Sequence, residues 1–202
     1  MFKTPAEVLE FIKKEDVKFL DIRFTDLPGI QQHFNIPAST VDEEFFSVGQ
    51  LFDGSSIRGF QGIAESDLQL IPDVTTAYVD PYRVEKTLIL IFDIYNPRNG
   101  EIYHRDPRQV AKKAEKYLAS TGIADTAFFA PEAEFYVFDN VRFETKQNTG
   151  FYHIDSEAGA WNTGSEDNNR GYKVKYKGGY FPVAPYDHFG ELRDEMVVEL
   201  ER

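Results

Sequence analysis

The sequence predicts an α+β protein in two parts, and three observations support this fold class. Most of the short apolar runs that are typical of strands lie in the first hundred residues. Helical patterns of apolar residues stand before these runs and again after a turn-forming cluster at residues 96–100. Further along, residues 140–185 contain many Gly and Asn, which is typical of hairpins and loops.

The first part is predicted to be mostly sheet, with one helix at its start and a short helix inside it. Thr4 is placed to cap the first helix, and Pro5 and Glu7 suit its first turn. Ser39 or Thr40 is expected to cap the short helix. Strands are predicted at residues 17–24, 30–36, 67–72, 76–79 and 87–95, and a loop without periodicity at 51–62.

The second part is predicted to begin with a helix that Asp106 caps and that ends near Ser120. A strand is predicted at residues 128–138, and a last helix is predicted to begin near Asp187. No Gly, Asn or Pro follows this last helix, so we expect the chain to be the front part of a longer protein. An ordinary C-terminal helix docked on the body explains the same pattern equally well.

The composition indicates a folded, acidic protein and argues against two classes of partner. The 202 residues have a hydrophobic fraction of 42% and a formal net charge of −12. Nucleic acids and anionic membrane surfaces require a basic footprint, so we expect neither as a partner. The sequence has no cysteine, and its N-terminus lacks the apolar core of a signal peptide, so we expect a cytoplasmic protein.

Glu132 and Glu134 form the most informative motif, because they stand one residue apart in the strand predicted at 128–138. Side chains alternate across a strand, so both carboxylates are expected on one face, opposite Phe135 and Val137. Two like charges repel each other, and a cation between them removes that cost. The pair is therefore a candidate site for a hard metal ion, and a solvated strand face is the alternative.

Two further segments contain candidate binding residues. Residues 51–57 are acidic and rich in hydroxyl groups, and Asp53 there could bind a cation or accept a proton. Asp-Gly-Ser-Ser is also an ordinary turn sequence. Lys177 begins a segment at 177–182 whose backbone amides could approach a phosphate, but the segment lacks Walker spacing and fits a hairpin turn. The histidines show no spacing typical of metal ligands.

Taken together, several segments of the sequence resemble bacterial type I glutamine synthetases. Their order and spacing match that family along essentially the whole chain. The matching segments are residues 52–57, 62–67, 72–73, 80–81, 131–135 and 177–182. Small departures occur after Ile57, because Arg58 and Phe60 stand where many family members have glycine and tryptophan.

The resemblance implies a β-grasp-like N-terminal domain at residues 1–103 and the first part of a catalytic domain, built on a curved antiparallel sheet, at 104–202. It implies an ATP-dependent ligation in which glutamate is phosphorylated on its γ-carboxylate and ammonia then displaces phosphate. Divalent ions suit this chemistry because they neutralise the charge that develops during phosphoryl transfer. The alternatives are a γ-glutamyl ligase for another amine, a non-catalytic assembly protein of the same fold, and an acidic module that binds Ca²⁺.

The resemblance also implies roles for individual residues. Glu132 and Glu134 match a pair of metal ligands, one for each of two Mg²⁺ or Mn²⁺ sites. Asp53 matches the aspartate that binds ammonium and helps to remove its proton. Ser56 matches a serine of the same loop, and Tyr180 matches a tyrosine that lines the ammonium pocket.

Lys177 begins the matching segment that contains Tyr180, and we assign it to the site of the co-substrate ATP. The resemblance implies that glutamate, ammonium and ATP are the small-molecule partners. It also implies self-association into rings, which are dodecamers in the family, with active sites between subunits. Asp53 would then meet the metal ligands of a neighbouring copy. Family members carry further metal ligands beyond this length, so we expect these 202 residues alone to be inactive.

Overall fold

The computed structural model describes residues 2–162 and 171–201, and the chain forms two compact units. The first unit ends at Phe129 and the second begins at Ala130. The helix that follows residue 103 therefore belongs to the first compact unit. The domain boundary expected between residues 103 and 104 stays a prediction.

The first unit is built on a five-stranded mixed sheet. Its strands are β1 (Phe19–Thr25), β2 (Gln31–Pro37), β3 (Gln50–Asp53), β4 (Asp67–Val79) and β5 (Thr87–Tyr95). The order across the sheet is β2-β1-β5-β4-β3, with β1 and β5 parallel and all other neighbours antiparallel. The central position of β5 explains its continuous apolar run, because a central strand is covered on both faces.

Helix α1 (Pro5–Lys14) covers one face of this sheet. Thr4 caps the helix as predicted, because its Oγ1 accepts a hydrogen bond of 3.3 Å from the backbone N–H of Glu7. Val8 and Ile12 are buried on the inner side of α1, one turn apart, and join the core that the strands form. The helical spacing of apolar residues in the sequence therefore corresponds to the buried face of the helix.

Helix α2 (Glu43–Val48) is capped by a residue other than those predicted. The carboxylate of Asp42 accepts a hydrogen bond of 2.9 Å from the N–H of Phe45. The predicted caps, Ser39 and Thr40, are wrong because Ala38–Thr40 forms a separate 3-10 turn before the helix. Asp42 also places a negative charge at the helix N-terminus, where the macrodipole favours it.

The strands after α2 differ from the prediction in two places. β3 lies where a loop was predicted, and it pairs with the start of β4. β4 is one strand with a register shift between Asp73 and Tyr78, whereas two separate strands were predicted. At the shift, the N–H and Oγ1 of Thr75 donate to Oδ1 of Asp73 at 3.1 and 2.6 Å, which satisfies groups that the ladder leaves free.

Helix α3 (Pro107–Ser120) begins at the predicted cap, Asp106, whose Oδ1 accepts a hydrogen bond of 2.9 Å from the N–H of Arg108. Ion pairs attach this helix to the sheet. Arg108 Nε lies 2.8 Å from Asp93 Oδ1, and the same guanidinium also contacts Asp73. Lys112 contacts both of these aspartates. These half-buried pairs fix the start of α3 against β4 and β5.

The second unit contains a hairpin and one helix within its described residues. The hairpin joins β6 (Asn140–Thr145) to β7 (Gly150–Asp155), and helix α4 spans Gly190–Leu200. The hairpin agrees with the prediction for residues 140–185, of which residues 163–170 lie outside the described residues. Within the described ranges, we find no helix with both the length and the apolar character needed to cross a membrane.

The strand predicted at residues 128–138 is wrong, because the structure assigns no strand there. The alternation of side chains favours an extended backbone, but a strand also requires a hydrogen-bonded neighbour. Among the described residues, none pairs with this segment as a strand. Its aromatic side chains are accordingly exposed, with Phe128 at 94% and Phe129 at 90%.

Candidate active site

Residues 53–66, which we call the Asp53 loop, start and end at one place in the sheet. Asp53 is the last residue of β3 and lies opposite Asp67, the first residue of β4. The N–H of Gly54 donates to the carbonyl oxygen of Ser66 at 2.7 Å, which closes the base of the loop. A Cβ at Gly54 would lie 2.6 Å from Cδ1 of Leu68, so the close approach of loop and core requires glycine.

The carboxylate of Asp53 accepts three hydrogen bonds from the two serines that follow it. Its Oδ1 accepts from the N–H of Ser55 at 2.9 Å and from Oγ of Ser55 at 2.6 Å. Its Oδ2 accepts from Oγ of Ser56 at 3.1 Å. The structure therefore brings together two of the predicted site residues, Asp53 and Ser56, on an exposed loop.

These hydrogen bonds lower the pKa of Asp53 below its ordinary value. The hydroxyl of Ser55 has the largest effect, followed by the N–H of Ser55 and the hydroxyl of Ser56. Donors that face a carboxylate stabilise its charged form, so Asp53 stays ionised at neutral pH and is a weak base. An exposed carboxylate that is held in one orientation and charged at neutral pH is suited to attracting a small cation.

Ser55 is a candidate site residue that the sequence analysis did not single out. Its hydroxyl lies closer to Asp53 than the hydroxyl of Ser56 does, at 2.6 Å against 3.1 Å. An aspartate often accepts a hydrogen bond from the N–H two residues further on, and a serine at that position adds its hydroxyl. The order Asp-Gly-Ser in the sequence is therefore a signal from which the contact between Ser55 and Asp53 can be predicted.

Glu132 and Glu134 lie in the second unit and are exposed. Close to them, the rings of Tyr136 and Phe138 stack at 5.7 Å with an angle of 6° between their planes. Tyr136 and Phe138 therefore lie on the same side of the backbone just after the two glutamates, as residues two apart do in an extended chain. Residues 2–162 and 171–201 contain no group of three His, Cys, Asp or Glu side chains that could hold a metal ion.

Lys177 lies in a turn of the second unit, and Tyr180 follows this turn three residues further along the chain. The N–H of Gly178 donates to the carbonyl oxygen of Lys175 at 2.8 Å, and Lys177 has a φ of 54°. The prediction of a hairpin turn is therefore only half right, because the chain turns at Lys175–Gly178 but no strand flanks the turn in the described part of the unit. Tyr180 is 90% exposed, and its ring meets the ring of Phe181 edge-to-face at 4.6 Å.

A cavity of about 490 Å³ lies beside this turn, and Tyr180 and Phe181 form part of its wall. His188 and Arg193 contribute polar groups to the same wall, and Asp187 forms an ion pair with Arg193. The volume is within the range of about 300–1,000 Å³ that is usual for small-molecule sites. Tyr180 is therefore next to a space that a small substrate could enter.

Two family models match consecutive parts of the chain. The model described as "Glutamine synthetase, beta-Grasp domain" matches residues 16–97, and the model described as "Glutamine synthetase, catalytic domain" matches residues 104–202. The chain belongs to the glutamine synthetase family. These matches confirm the predicted fold class, an α+β chain with a β-grasp domain at its N-terminus.

Curated glutamine synthetases match the whole chain but extend well beyond it. The Streptomyces coelicolor enzyme is 65% identical over 202 residues, which are 100% of this chain and 42% of that protein. The Mycolicibacterium smegmatis enzyme is 58% identical over an alignment 204 positions long, which covers 98% of this chain and 43% of that protein. The chain thus spans less than half the length of these relatives.

Solved structures support the fold. The cryo-EM structure of Plasmodium falciparum glutamine synthetase matches 99% of this chain and 40% of its own, with a TM-score of 0.80 and 24% identity. A structure of apo GmaS without ligand matches 56% of this chain and 26% of its own, with a TM-score of 0.51 and 23% identity. At these identities the likeness concerns the fold alone.

The donors of Glu132 and Glu134 in this glutamine synthetase chain fit a hard divalent cation by type. Carboxylate oxygens are the ligands that Mg²⁺ and Mn²⁺ prefer. Mg²⁺ requires about six oxygen ligands in octahedral geometry, with waters filling positions that the protein leaves open. Two exposed glutamates supply only a part of such a set, so the pair fits the ion in chemistry but does not complete a site.

Proposed function

We propose that the chain is the N-terminal portion of a glutamate–ammonia ligase that forms glutamine through γ-glutamyl phosphate. ATP phosphorylates the γ-carboxylate of glutamate, and ammonia then displaces phosphate. The observation that carries this proposal is the Asp53 loop. In a chain that belongs to the glutamine synthetase family, Asp53 is an exposed carboxylate that Ser55 and Ser56 keep oriented and charged.

Asp53 would act on the ammonium substrate in two ways. Its charge attracts the ammonium cation to the loop before reaction. Ammonium has no lone pair, so it must give up one proton before its nitrogen can attack the acyl phosphate, and Asp53 would accept that proton. The lowered pKa makes Asp53 a weak base, so this transfer is unfavourable by itself and proceeds because the attack consumes the ammonia that it forms. Ser55 and Ser56 would hold the carboxylate in place for both steps. Tyr180 would take the role that the family resemblance implies for it, as a residue that lines an ammonium pocket.

Glu132 and Glu134 would each contribute an oxygen ligand to one of two Mg²⁺ or Mn²⁺ sites. When bound, these ions neutralise charge on the transferring phosphoryl group. Lys177 would provide a positive charge for the phosphates of ATP from its exposed turn. The remaining ligands would come from sequence of the kind that the longer relatives possess, so the 202 residues alone would not support the full reaction.

We also propose that the protein assembles into rings in which Asp53 of one copy acts with the metal ligands of the next. Membership of the glutamine synthetase family supports this assembly. A cytoplasmic location is proposed too. The absence of cysteine from the sequence supports a reducing compartment.

The test is phosphate release from ATP with Mg²⁺, in the presence and absence of glutamate and of ammonium. It is run on the 202-residue chain and on the chain extended to the length of its relatives. The proposal predicts release only from the extended chain and only with both substrates. Release that an alkylamine supports and ammonium does not would replace it with a ligase for another amine. No release under any condition would favour an assembly protein.

A further inference from the structure

The Asp53 loop is fixed near its midpoint by two residues that come after β5. Oη of Tyr103 donates a hydrogen bond of 2.7 Å to the carbonyl oxygen of Phe60. Nη1 of Arg105 donates to the same oxygen at 2.7 Å and to the carbonyl oxygen of Gly59 at 2.7 Å. Two carbonyl groups of the loop are therefore held by side chains that lie more than forty positions away in the sequence.

Tyr103 is a rigid support for this contact. Its side chain is buried, and its backbone N–H donates to the carbonyl oxygen of Ile94 in β5 at 2.9 Å. Its ring packs edge-to-face on Phe60 at 5.3 Å, and Phe60 in turn contacts Phe24 of β1 at 6.4 Å. Burial raises the pKa of Tyr103, so its hydroxyl keeps the proton that it donates.

A continuous series of turns links this anchor to the carboxylate of Asp53. The N–H of Phe60 donates to the carbonyl oxygen of Ile57 at 3.1 Å, and the N–H of Ile57 donates to the carbonyl oxygen of Gly54 at 3.2 Å. Gly54 is the residue next to Asp53, and Ser55 and Ser56 lie inside the second turn. A shift at Phe60 would therefore move the serines that orient the carboxylate.

We propose that Tyr103 and Arg105 are positioning residues for ammonium binding. They hold the carbonyl groups of Gly59 and Phe60, and through them they keep Ser55 and Ser56 on the carboxylate of Asp53. They act through the loop and do not touch the substrate. This inference rests on the proposed function only for the identity of that substrate, since the contacts themselves lie within the first compact unit.

The test compares Tyr103→Phe, Arg105→Gln and the double variant with wild type, in the chain extended to the length of its relatives. Tyr117→Phe and Lys116→Gln are matched controls, because both residues are exposed on α3. Two quantities are measured: the KM values for ammonium, glutamate and ATP, and the hydrogen-exchange rates of the loop amides. Arg105→Lys retains a cationic donor and serves as the conservative variant.

Each lost hydrogen bond should increase loop opening by about fivefold, from the usual net value of such a bond. We expect faster exchange in the Asp53 loop and a raised KM for ammonium, both largest in the double variant. The KM values for glutamate and ATP should stay within about twofold, because the substitutions loosen only the loop that binds ammonium. Arg105→Lys should have a smaller effect than Arg105→Gln, and the controls should match wild type.

Two results would overturn the inference. One is unchanged exchange in the loop of the double variant. The other is an equal rise in all three KM values, which indicates general destabilisation. A wild-type protein that makes no glutamine would refute the proposed function instead. In that case the exchange rates alone decide whether Tyr103 and Arg105 anchor the loop.

Discussion

The buried carboxylate of Asp106 connects helix α3 to the centre of the sheet, and we predict that its removal destabilises the fold. Asp106 is 1% exposed, and its two oxygens have different partners. Oδ2 accepts a hydrogen bond of 2.9 Å from the N–H of Ile94 in β5, and Oδ1 accepts one of 2.9 Å from the N–H of Arg108 in the first turn of α3. Asp106→Ala removes both acceptors at once.

The size of the effect follows from these two contacts. Loss of a helix cap costs about 1 kcal/mol of stability. A buried N–H without a partner, as at Ile94, costs about 1–3 kcal/mol more. We therefore expect Asp106→Ala to lower the free energy of unfolding by about 2–4 kcal/mol. Asp106→Asn keeps one acceptor oxygen, so this variant should lose about half as much free energy of unfolding as Asp106→Ala.

The assay is urea unfolding of the wild-type chain and the two variants at neutral pH, with the midpoint and slope fitted for each. Asp16→Asn is a suitable control because the side chain of Asp16 is 81% exposed. The expected order of stability is wild type, Asp106→Asn, Asp106→Ala. The reasoning is refuted if Asp106→Ala loses less than about 1 kcal/mol, the value of a cap alone, or if both variants lose the same amount.

The contribution of Asp106 to stability should depend on pH, and the sign of this dependence follows from the direction in which its pKa is shifted. Burial raises the pKa of Asp106, and the nearby carboxylate of Asp93 adds to the shift, against the lowering effect of the backbone donors. The folded state thus binds the proton more tightly than the unfolded state. The contribution of Asp106 is complete below its unfolded pKa and is lost as pH rises through its folded pKa. Wild type should therefore gain stability relative to Asp106→Asn as the pH falls from neutral to mildly acidic, and the opposite trend would contradict the assignment.

Three further predictions concern the loop, the metal pair and the core. Ser55→Ala should raise the pKa of Asp53 towards its ordinary value, as measured by NMR titration of the carboxyl carbon; an unchanged pKa would exclude Ser55 as the main donor. Replacing both Glu132 and Glu134 by Gln should change stability by less than about 0.5 kcal/mol, because both are exposed, yet should weaken Mg²⁺ activation of the extended chain; normal Mg²⁺ dependence would exclude the pair as ligands. Phe92→Ala should cost about 3–5 kcal/mol in urea unfolding, because the side chain is buried in the core, and a loss below about 1 kcal/mol would be inconsistent with that packing.

Local sequence signals predicted the helices of the first unit well. Thr4 and Asp106 cap α1 and α3 through contacts within three residues of each cap, so the necessary information is contiguous in the sequence. The central strand β5 was also predictable, because burial on both faces requires a continuous apolar run. Capping of α2 was harder to predict, since three neighbouring residues, Ser39, Thr40 and Asp42, all suit an N-cap.

Features that depend on distant partners were not predicted. β3 has only four residues, and its pairing with β4 across the Asp53 loop is what makes it a strand. The reverse error occurred at residues 128–138, where alternation was present but a partner strand was not among the described residues. Tyr103 and Arg105 contact the loop across more than forty positions, and no local pattern marks such a contact.

The site was predictable only in part. The resemblance indicated Asp53 and Ser56, and the structure places them in contact. Ser55 was missed, although its position two residues after Asp53 favours a hydrogen bond to that carboxylate. The roles of Glu132, Glu134, Tyr180 and Lys177 stay predictions.

The central claim is that Asp53 binds and helps to deprotonate ammonium. The most direct measurement is the ammonium dependence of glutamine formation by the extended chain, for wild type, Asp53→Asn and the exposed control Asp16→Asn. The account predicts that Asp53→Asn loses saturable dependence on ammonium and most of its rate, whereas Asp16→Asn behaves as wild type. An Asp53→Asn protein with unchanged rate and unchanged KM for ammonium would contradict it.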